Sequence, residues 1–198
     1  MLKALIFDLN GVLVQSPPLS ERFKDKYNIP TETFLPVLKE TLAKVRTPEA
    51  GSVFSYFQPY LEKWGLKINE KEFLSFWFKV ESVVPEIIEM ARTAKLRGIK
   101  LFILSNNFEE RAVYYRANFP FIYELFEAVY YSWQTGFVKP DPQAFTNLLF
   151  VNGLTPEECL FIDDKKECVD VARDLGMKAE VYLCPSELRK LLTSLDAI

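Results

Sequence analysis

The sequence predicts an α/β protein built on a doubly wound parallel sheet with a helical insertion. Two observations support this fold class. Five short apolar runs alternate with helical patterns, and the long stretch between the first and second runs is helical throughout. Strands that alternate with helices form parallel sheets covered on both faces. We therefore expect ligands to bind at the carboxyl ends of the strands.

The apolar runs are short and end in polar residues, as strands buried on both faces of a sheet do. Asp8 follows the first run, Ser105 the second, and the pair Asp163 and Asp164 the fourth. The five predicted strands cover residues 2–7, 99–104, 128–131, 160–162 and 179–183.

Helical patterns connect these strands, and their ends carry specific signals. Pro85 and Pro142 stand at first helical positions, where a missing N–H is tolerated, and Gly98 and Gly176 follow helices as C-caps. The predicted core helices cover residues 85–97, 108–118, 142–150 and 165–175.

Residues 15–83 hold no strand-like run, and we call them the helical insertion. The predicted core then consists of residues 1–14 and 84–198. Because the insertion leaves just after Asp8 and returns at Pro85, we expect it above that strand end, where it can act as a lid. Arg46 is expected to be solvated, with a contact to a substrate anion as the alternative. Amphipathic patterns predict four helices, near residues 20–27, 31–44, 52–64 and 69–80.

Composition and charge exclude several classes of protein. Of 198 residues, 24 are Lys or Arg and 27 are Asp or Glu, so no basic excess exists for binding a nucleic acid backbone. The longest apolar stretches are a few residues, far below the roughly 18 to 20 that span a membrane. Asp8 interrupts the first apolar run before a signal-peptide core is complete. We expect a cytoplasmic protein without a membrane or nucleic acid partner.

The residue types that are missing restrict the chemistry. The chain has no histidine, which excludes histidine nucleophile pairs, histidine metal ligands and histidine general bases. Its three cysteines lack paired spacing, so neither a disulfide framework nor a structural zinc site is expected. Acid and base chemistry is left to carboxylates, lysines or tyrosines.

Carboxylates, a hydroxyl and an amine meet at the predicted strand ends. Asp8, Asp163 and Asp164 would repel one another unless a cation lies between them, and an all-oxygen site suits Mg²⁺. Lys139 can offset charge on a carboxylate and on an incoming phosphate, and Ser105 can donate to the same oxyanion. This combination is typical of a phosphoryl-transfer site.

Four ordered motifs resemble the haloacid dehalogenase (HAD) superfamily, whose members are mostly Mg-dependent phosphatases that work through an aspartyl-phosphate. The resemblance extends over residues 1–177 and implies a HAD-like Rossmannoid core with a helical cap formed by the insertion. The motifs are Phe7-Asp8-Leu9-Asn10-Gly11-Val12-Leu13, Leu104-Ser105-Asn106-Asn107, Lys139-Pro140-Asp141, and Phe161-Ile162-Asp163-Asp164 running on to Met177.

The resemblance implies a role for each motif residue. Asp8 is expected to be the nucleophile and a metal ligand, and the backbone carbonyl of Asn10 a second ligand. Asp164 is expected to bind the metal directly, and Asp163 to hold a metal-bound water. The phosphoryl oxygens are expected to be held by Ser105, Asn106 and Lys139.

Two positions depart from the family pattern. Asn10 stands where the phosphatases usually have an acid/base Asp, and a carboxamide cannot transfer a proton. General acid/base help is worth on the order of 10² to 10⁴ in rate, so turnover is expected to be slow. Cys168 stands where an Asn or Asp commonly supports the metal shell.

The predicted function is Mg-dependent hydrolysis of a small phosphorylated metabolite by a monomer or homodimer. Asn10 leaves open a slow natural enzyme, an engineered trap of the intermediate, or a phosphometabolite-binding protein without catalysis. One rival is a 2-haloacid dehalogenase, which attacks carbon without a metal, although the crowding of Asp163 and Asp164 disfavours it. The other is a non-catalytic protein-binding module on the same scaffold.

Overall fold

The computed structural model describes residues 2–198. Its main sheet has five parallel strands in the spatial order β5-β4-β1-β6-β7. The strands are β1 (Ala4–Phe7), β4 (Lys100–Ser105), β5 (Ala128–Tyr131), β6 (Cys159–Asp163) and β7 (Lys178–Val181). Because β1 lies between β4 and β6, the winding reverses beside β1, and a crevice forms at that edge. The predicted fold class is confirmed.

The helices of the core cover both faces of the sheet. They are α5 (Pro85–Leu96), α6 (Glu109–Asn118), α7 (Phe121–Leu125), α8 (Ser132–Thr135), α9 (Pro142–Asn152), α10 (Lys166–Asp174) and α11 (Pro185–Ser194). Alternate residues of β1 point to opposite faces, so Leu5 and Phe7 pack on one side, and Ala4 and Ile6 on the other.

The helical insertion contains α1 (Leu19–Tyr27), α2 (Thr31–Val45), α3 (Val53–Lys63) and α4 (Glu70–Phe78), close to the predicted bounds. Phenylalanine and tryptophan side chains from these helices form an apolar cluster, which Phe108 of the core joins. Trp77 lies with its ring centroid 5.3 Å from that of Phe108. The insertion therefore packs against the segment that follows β4.

The structure adds elements that the sequence patterns did not predict. Strands β2 (Val14–Gln15) and β3 (Ser82–Val83) pair antiparallel where the insertion leaves and rejoins the core. The insertion is thus not wholly free of strand. Helices α7, α8 and α11 were also not predicted. None of the helices between residues 2 and 198 combines the length and apolar composition that crossing a bilayer requires.

Candidate active site

Three parallel strands deliver polar side chains to one edge of the sheet. Asp8 follows β1, Ser105 is the last residue of β4, and Asp163 is the last residue of β6. All three side chains are buried. The amide of Asp8 donates to the carbonyl of Ile162 (2.8 Å), so β1 and β6 remain paired up to the site. The parallel register thus brings together residues that lie more than 150 positions apart.

Lys139 is buried between two of these carboxylates. Its Nζ lies 3.1 Å from Oδ1 of Asp8 and 2.6 Å from Oδ2 of Asp163. Burial by itself lowers the pKa of Lys139, but the two carboxylates outweigh this effect, and the net pKa is raised. The ammonium group is therefore charged at neutral pH.

Asp8, Asp163 and Asp164 form a carboxylate cluster. Each offers an oxygen, and the three oxygens lie within 4.8 Å of one another. Burial raises the pKa of Asp8, although Lys139 opposes the shift. Burial and the charges of Asp8 and Asp163 raise the pKa of Asp164 to about 6. One lysine does not neutralise three carboxylates, so the cluster favours a further cation.

The carboxylates of this cluster differ in the hydrogen bonds that their oxygens accept. Both carboxylate oxygens of Asp163 are engaged, one by Lys139 and the other by the amide of Lys165 (2.8 Å). No ammonium or backbone amide group of residues 2–198 donates a hydrogen bond to the side chain of Asp164, whose hydrogen-bonding neighbour is the Asp163 carboxyl group. Asp8 and Asp164 are therefore better placed than Asp163 for direct contact with a cation.

Gly11 makes room for Asp164. Its φ is +100°, a backbone conformation that side-chain-bearing residues rarely adopt, and a Cβ there would lie 2.5 Å from Oδ2 of Asp164. The neighbouring backbone carbonyl of Asn10 accepts no hydrogen bond from the described residues. A carboxylate, a free carbonyl and the buried Asp8 are oxygen donors that fit Mg²⁺.

Ser105 and Asn106 differ in what their side chains contact. The Oγ of Ser105 is buried and has no hydrogen-bond partner among residues 2–198. The side chain of Asn106 instead forms two hydrogen bonds with the backbone of Lys139, donating to its carbonyl (2.7 Å) and accepting from its amide (2.8 Å). Ser105 is thus open to a ligand, whereas the Asn106 side chain positions Lys139.

The side chain of Asn10 is held by two neighbours that the sequence motifs did not single out as site residues. Its Nδ2 donates to the hydroxyl of Tyr115, and its Oδ1 accepts from Nδ2 of the buried Asn107 (3.4 Å). Burial raises the pKa of Tyr115, so its phenol stays protonated. This network fixes the orientation of Asn10.

A buried ion pair lies beside this network, with the Arg111 guanidinium over the ring of Tyr115. Arg111 of α6 forms an ion pair with the buried Glu81, which lies just before β3. Arg111 and Asp164 both line a cleft of about 590 Å³ that opens beside Asn10 and the two-stranded sheet. This cleft therefore borders the site at Asn10 and Asp164, where the helical insertion leaves and rejoins the core.

The structure also shows the surroundings of Arg46 and Cys168. The sequence favours a solvated Arg46, but its Nε is buried without a hydrogen-bond partner in residues 2–198. Cys168 is buried against the sheet, and burial raises the pKa of its thiol to about 12. That thiol stays protonated at neutral pH.

The fold and the site define an α/β protein whose ligand site consists of carboxylates and one lysine at the carboxyl ends of parallel strands. The chain belongs to the haloacid dehalogenase-like hydrolase family, whose sequence profile matches residues 2–176. Family membership and its hydrolase class are thereby established, and phosphatases are among the relatives.

The sequence is similar to other proteins over part or most of their length. Bifunctional epoxide hydrolase 2 of Sus scrofa is 26% identical over 198 residues, covering 89% of this chain and 35% of that protein. This chain thus spans about a third of that relative's length. The phosphorylated carbohydrates phosphatase of Thermotoga maritima is 22% identical over 196 residues, covering 89% of this chain and 83% of that protein.

Solved structures share the fold. A HAD family enzyme of Bacteroides thetaiotaomicron, crystallised with magnesium and inorganic phosphate, superimposes with a TM-score of 0.75 at 24% identity, covering 92% of this chain and 95% of that one. A HAD-like family hydrolase of Porphyromonas gingivalis gives a TM-score of 0.72 at 25% identity, covering 96% and 98%. Structures of HAD family proteins therefore cover 92% and 96% of this chain.

Proposed function

We propose that this protein hydrolyses small phosphate monoesters through a phosphoryl group carried on Asp8. The observation that supports this most strongly is the contact of Asp8 Oδ1 with Lys139 Nζ at 3.1 Å, next to two further carboxylates. A nucleophilic carboxylate beside a fixed ammonium suits attack on a phosphoryl group, because positioning and charge compensation supply most of the rate in such reactions.

We propose Mg²⁺ as the cofactor, held by Asp8, Asp164 and the backbone carbonyl of Asn10. The free carbonyl and the space that Gly11 leaves for Asp164 support this choice. Asp163, the fourth expected metal residue, has both oxygens in hydrogen bonds, which supports an indirect role through water and through Lys139. Magnesium, when bound, supplies positive charge that offsets the charge of the phosphoryl oxygens.

The chemistry that we propose takes place in two steps. In the first, a carboxylate oxygen of Asp8 forms a bond to phosphorus while the bond from phosphorus to the ester oxygen breaks. In the second, water attacks the phosphorus, releasing inorganic phosphate and restoring Asp8. Lys139 and the unpartnered hydroxyl of Ser105 hold phosphoryl oxygens in both steps. Asn106 contributes by fixing the backbone of Lys139.

Turnover is proposed to be slow because of Asn10. The leaving oxygen takes up a proton in the first step, and the attacking water loses one in the second. The Asn10 carboxamide can donate a hydrogen bond but can neither give nor accept a proton, so both protons are exchanged with solvent water. The loss of general acid/base help is worth on the order of 10² to 10⁴ in rate. The hydrogen bonds to Tyr115 and Asn107 keep Asn10 in place without giving it a transferable proton.

We propose that the helical insertion, residues 15–83, serves as the cap of the core formed by 1–14 and 84–198. Its packing against Phe108 and the hydrogen bond from the amide of Val53 to Glu110 of α6 (2.7 Å) support a closed arrangement over the site. A closed cap excludes water and supplies substrate contacts. The partner is then a small phosphorylated metabolite in the cytoplasm, processed by a monomer or homodimer.

Hydrolysis of an aryl phosphate, measured with and without Mg²⁺, tests the proposal. The unaltered chain should release phosphate only with the metal, and Asp8→Asn should abolish release. Asp25→Asn, at an exposed position on α1, is the matched control and should leave the rate unchanged. Metal-independent release of chloride from a 2-chloro acid would instead support the dehalogenase alternative. Binding of phosphate esters without any turnover would support the non-catalytic alternative.

A further inference from the structure

Two arginines present unpartnered groups near the site. Arg46 is the first residue after α2 in the helical insertion, and Arg111 lies on α6 of the core. The Nε atom of each is buried and finds no hydrogen-bond partner within residues 2–198. Buried guanidinium N–H groups without acceptors are costly. Because Arg46 lies within range of the charges of both Arg111 and Asp8, the two buried groups indicate a shared acceptor that is not part of the described chain.

The two arginines differ in whether a carboxylate forms an ion pair with them. Arg111 is paired with Glu81, whereas no carboxylate of residues 2–198 lies within ion-pair distance of Arg46. Burial and the nearby charge of Arg111 lower the pKa of Arg46, while the Asp8 carboxylate raises it. Arg46 therefore lies in the electrostatic field of both Asp8 and Arg111, and it forms no ion pair within residues 2–198.

The backbone around Arg46 is fixed against the core. Val45 is buried, and the amide of Val53 donates to Glu110 at 2.7 Å. Between these points, Pro48 lies beside Gly136, where a Cβ on the glycine would make an ordinary van der Waals contact of 3.6 Å with the proline ring. These contacts hold the loop on α6 and beside Gly136, which fixes the backbone that follows Arg46.

We propose that Arg46, together with Arg111, binds a second anionic group on the substrate, and that the substrates are phosphate esters whose leaving group carries a carboxylate or a further phosphate. This inference rests on the proposed function, in which Lys139 and Ser105 hold the phosphoryl group that is transferred. A planar guanidinium matches either anion with two parallel N–H donors, which explains the choice of arginine. The cleft that Arg111 lines gives such a leaving group room beside Asp164.

Pairs of probes that differ only in the second charge test this proposal. Hydroxyalkyl phosphates are compared with carboxyalkyl phosphates and alkane bisphosphates of the same chain length, at two-carbon and four-carbon lengths. The measured quantity is the ratio of kcat/KM for the charged probe to that for the uncharged one, which cancels effects common to both. Calorimetric affinities for the same probes in an Asp8→Asn background give a second readout that does not require turnover.

We expect the charged probe to be preferred in at least one pair, and Arg46→Met to reduce that preference by at least about tenfold, as loss of a hydrogen bond to a charged group implies. Arg46→Lys keeps the positive charge but loses the two parallel N–H donors, so it should retain part of the preference. This variant also provides the test if Arg46→Met does not fold. Arg92→Met, at an exposed position on α5, is the matched control and should leave the ratio unchanged.

The outcomes of this experiment distinguish failure of the inference about Arg46 from failure of the proposed function. A ratio that is equal in the unaltered chain and in Arg46→Met, with both rates lowered in the variant, would assign Arg46 to the transferred phosphoryl group and overturn the inference. Failure of the unaltered chain to hydrolyse any probe would contradict the proposed function. In that case, equal affinities of the charged and uncharged probes would contradict the inference as well, and an Arg46-dependent preference would uphold it.

Discussion

Gly11 and Asp164 are so close that a Cβ on the glycine would lie 2.5 Å from Oδ2 of the carboxylate. The φ of +100° at Gly11 turns the chain immediately after Asn10, and the absence of a side chain there leaves room for the Asp164 carboxylate. A glycine in the first motif therefore determines where a carboxylate of the fourth motif can lie.

Gly11→Ala should weaken Mg²⁺ binding. The added methyl group displaces Asp164 and imposes strain at positive φ. Mutation of a residue that supports a metal ligand typically lowers metal affinity 10- to 100-fold. We expect the Kd for Mg²⁺, measured by calorimetry, to rise by at least about tenfold. Gly98→Ala is the control, because its φ is also positive (+84°) but no atom lies within 4 Å of the added Cβ. Equal metal affinities of the two variants would contradict the role of Gly11.

Metal binding should depend on pH because of Asp164. Burial and the charges of Asp8 and Asp163 raise the pKa of Asp164 to about 6, so a proton competes with the metal as pH falls through that value. A single protonation at this pKa makes the apparent Kd for Mg²⁺ about tenfold higher at pH 5 than at pH 7. An affinity that is flat across this range would contradict a metal role for Asp164.

The same pKa shift predicts how the metal-free protein responds to pH. The folded state holds the Asp164 proton more tightly than the unfolded state, whose pKa is the ordinary 3.8. This group should therefore add stability as pH falls from 7 through 6, and Mg²⁺ should remove that contribution. Denaturant unfolding at a series of pH values, with and without Mg²⁺, measures the effect; an equal pH dependence in both conditions would contradict it.

Asn10→Asp should raise Mg-dependent hydrolysis of an aryl phosphate by at least about tenfold, a fraction of the general acid/base effect. The new carboxylate would accept a hydrogen bond from the Tyr115 hydroxyl, which now accepts one from Asn10. Steady-state rates of the two forms, measured side by side, provide the test. Equal rates would remove Asn10 as the cause of slow turnover.

Asn106→Leu should lower both stability and hydrolysis. It removes two hydrogen bonds to the buried backbone of Lys139, and unsatisfied buried groups cost about 1 to 3 kcal/mol each. The free energy of unfolding from denaturant titration should fall by that order, and kcat should fall because Lys139 is less well fixed. Asn147→Leu on α9, where the side chain makes no hydrogen bond within the described chain, is the control. An unaltered kcat in Asn106→Leu would contradict the positioning role.

Much of the fold could be predicted from local patterns. The runs that end at Asp8, Ser105 and Asp163 gave strands within one or two residues of their bounds, because buried parallel strands are continuous apolar runs. Helix α11 was missed although Pro185 marks its first position. The pairing of Val14–Gln15 with Ser82–Val83 carries no local signal, because it joins residues 67 and 69 positions apart through the folded core.

The site could be predicted only in part, because sequence motifs name residues without showing what each side chain contacts. The motifs located Asp8, Lys139 and Asp164, and the structure brings them together. They did not show that the side chain of Asn106 forms hydrogen bonds with the backbone of Lys139, because these two residues lie 33 positions apart in the sequence. They also favoured a solvated Arg46, whereas the packing of its loop against α6 leaves Nε buried.

Formation of an aspartyl-phosphate at residue 8 tests the central claim most directly. The unaltered chain, incubated with Mg²⁺ and an acyl phosphate, is digested at low pH, and its peptides are analysed by mass spectrometry. We predict one added phosphoryl group on Asp8, which accumulates because Asn10 slows its hydrolysis, and none in Lys139→Met. A phosphoryl group on a different residue, or none on the unaltered chain, would contradict the account.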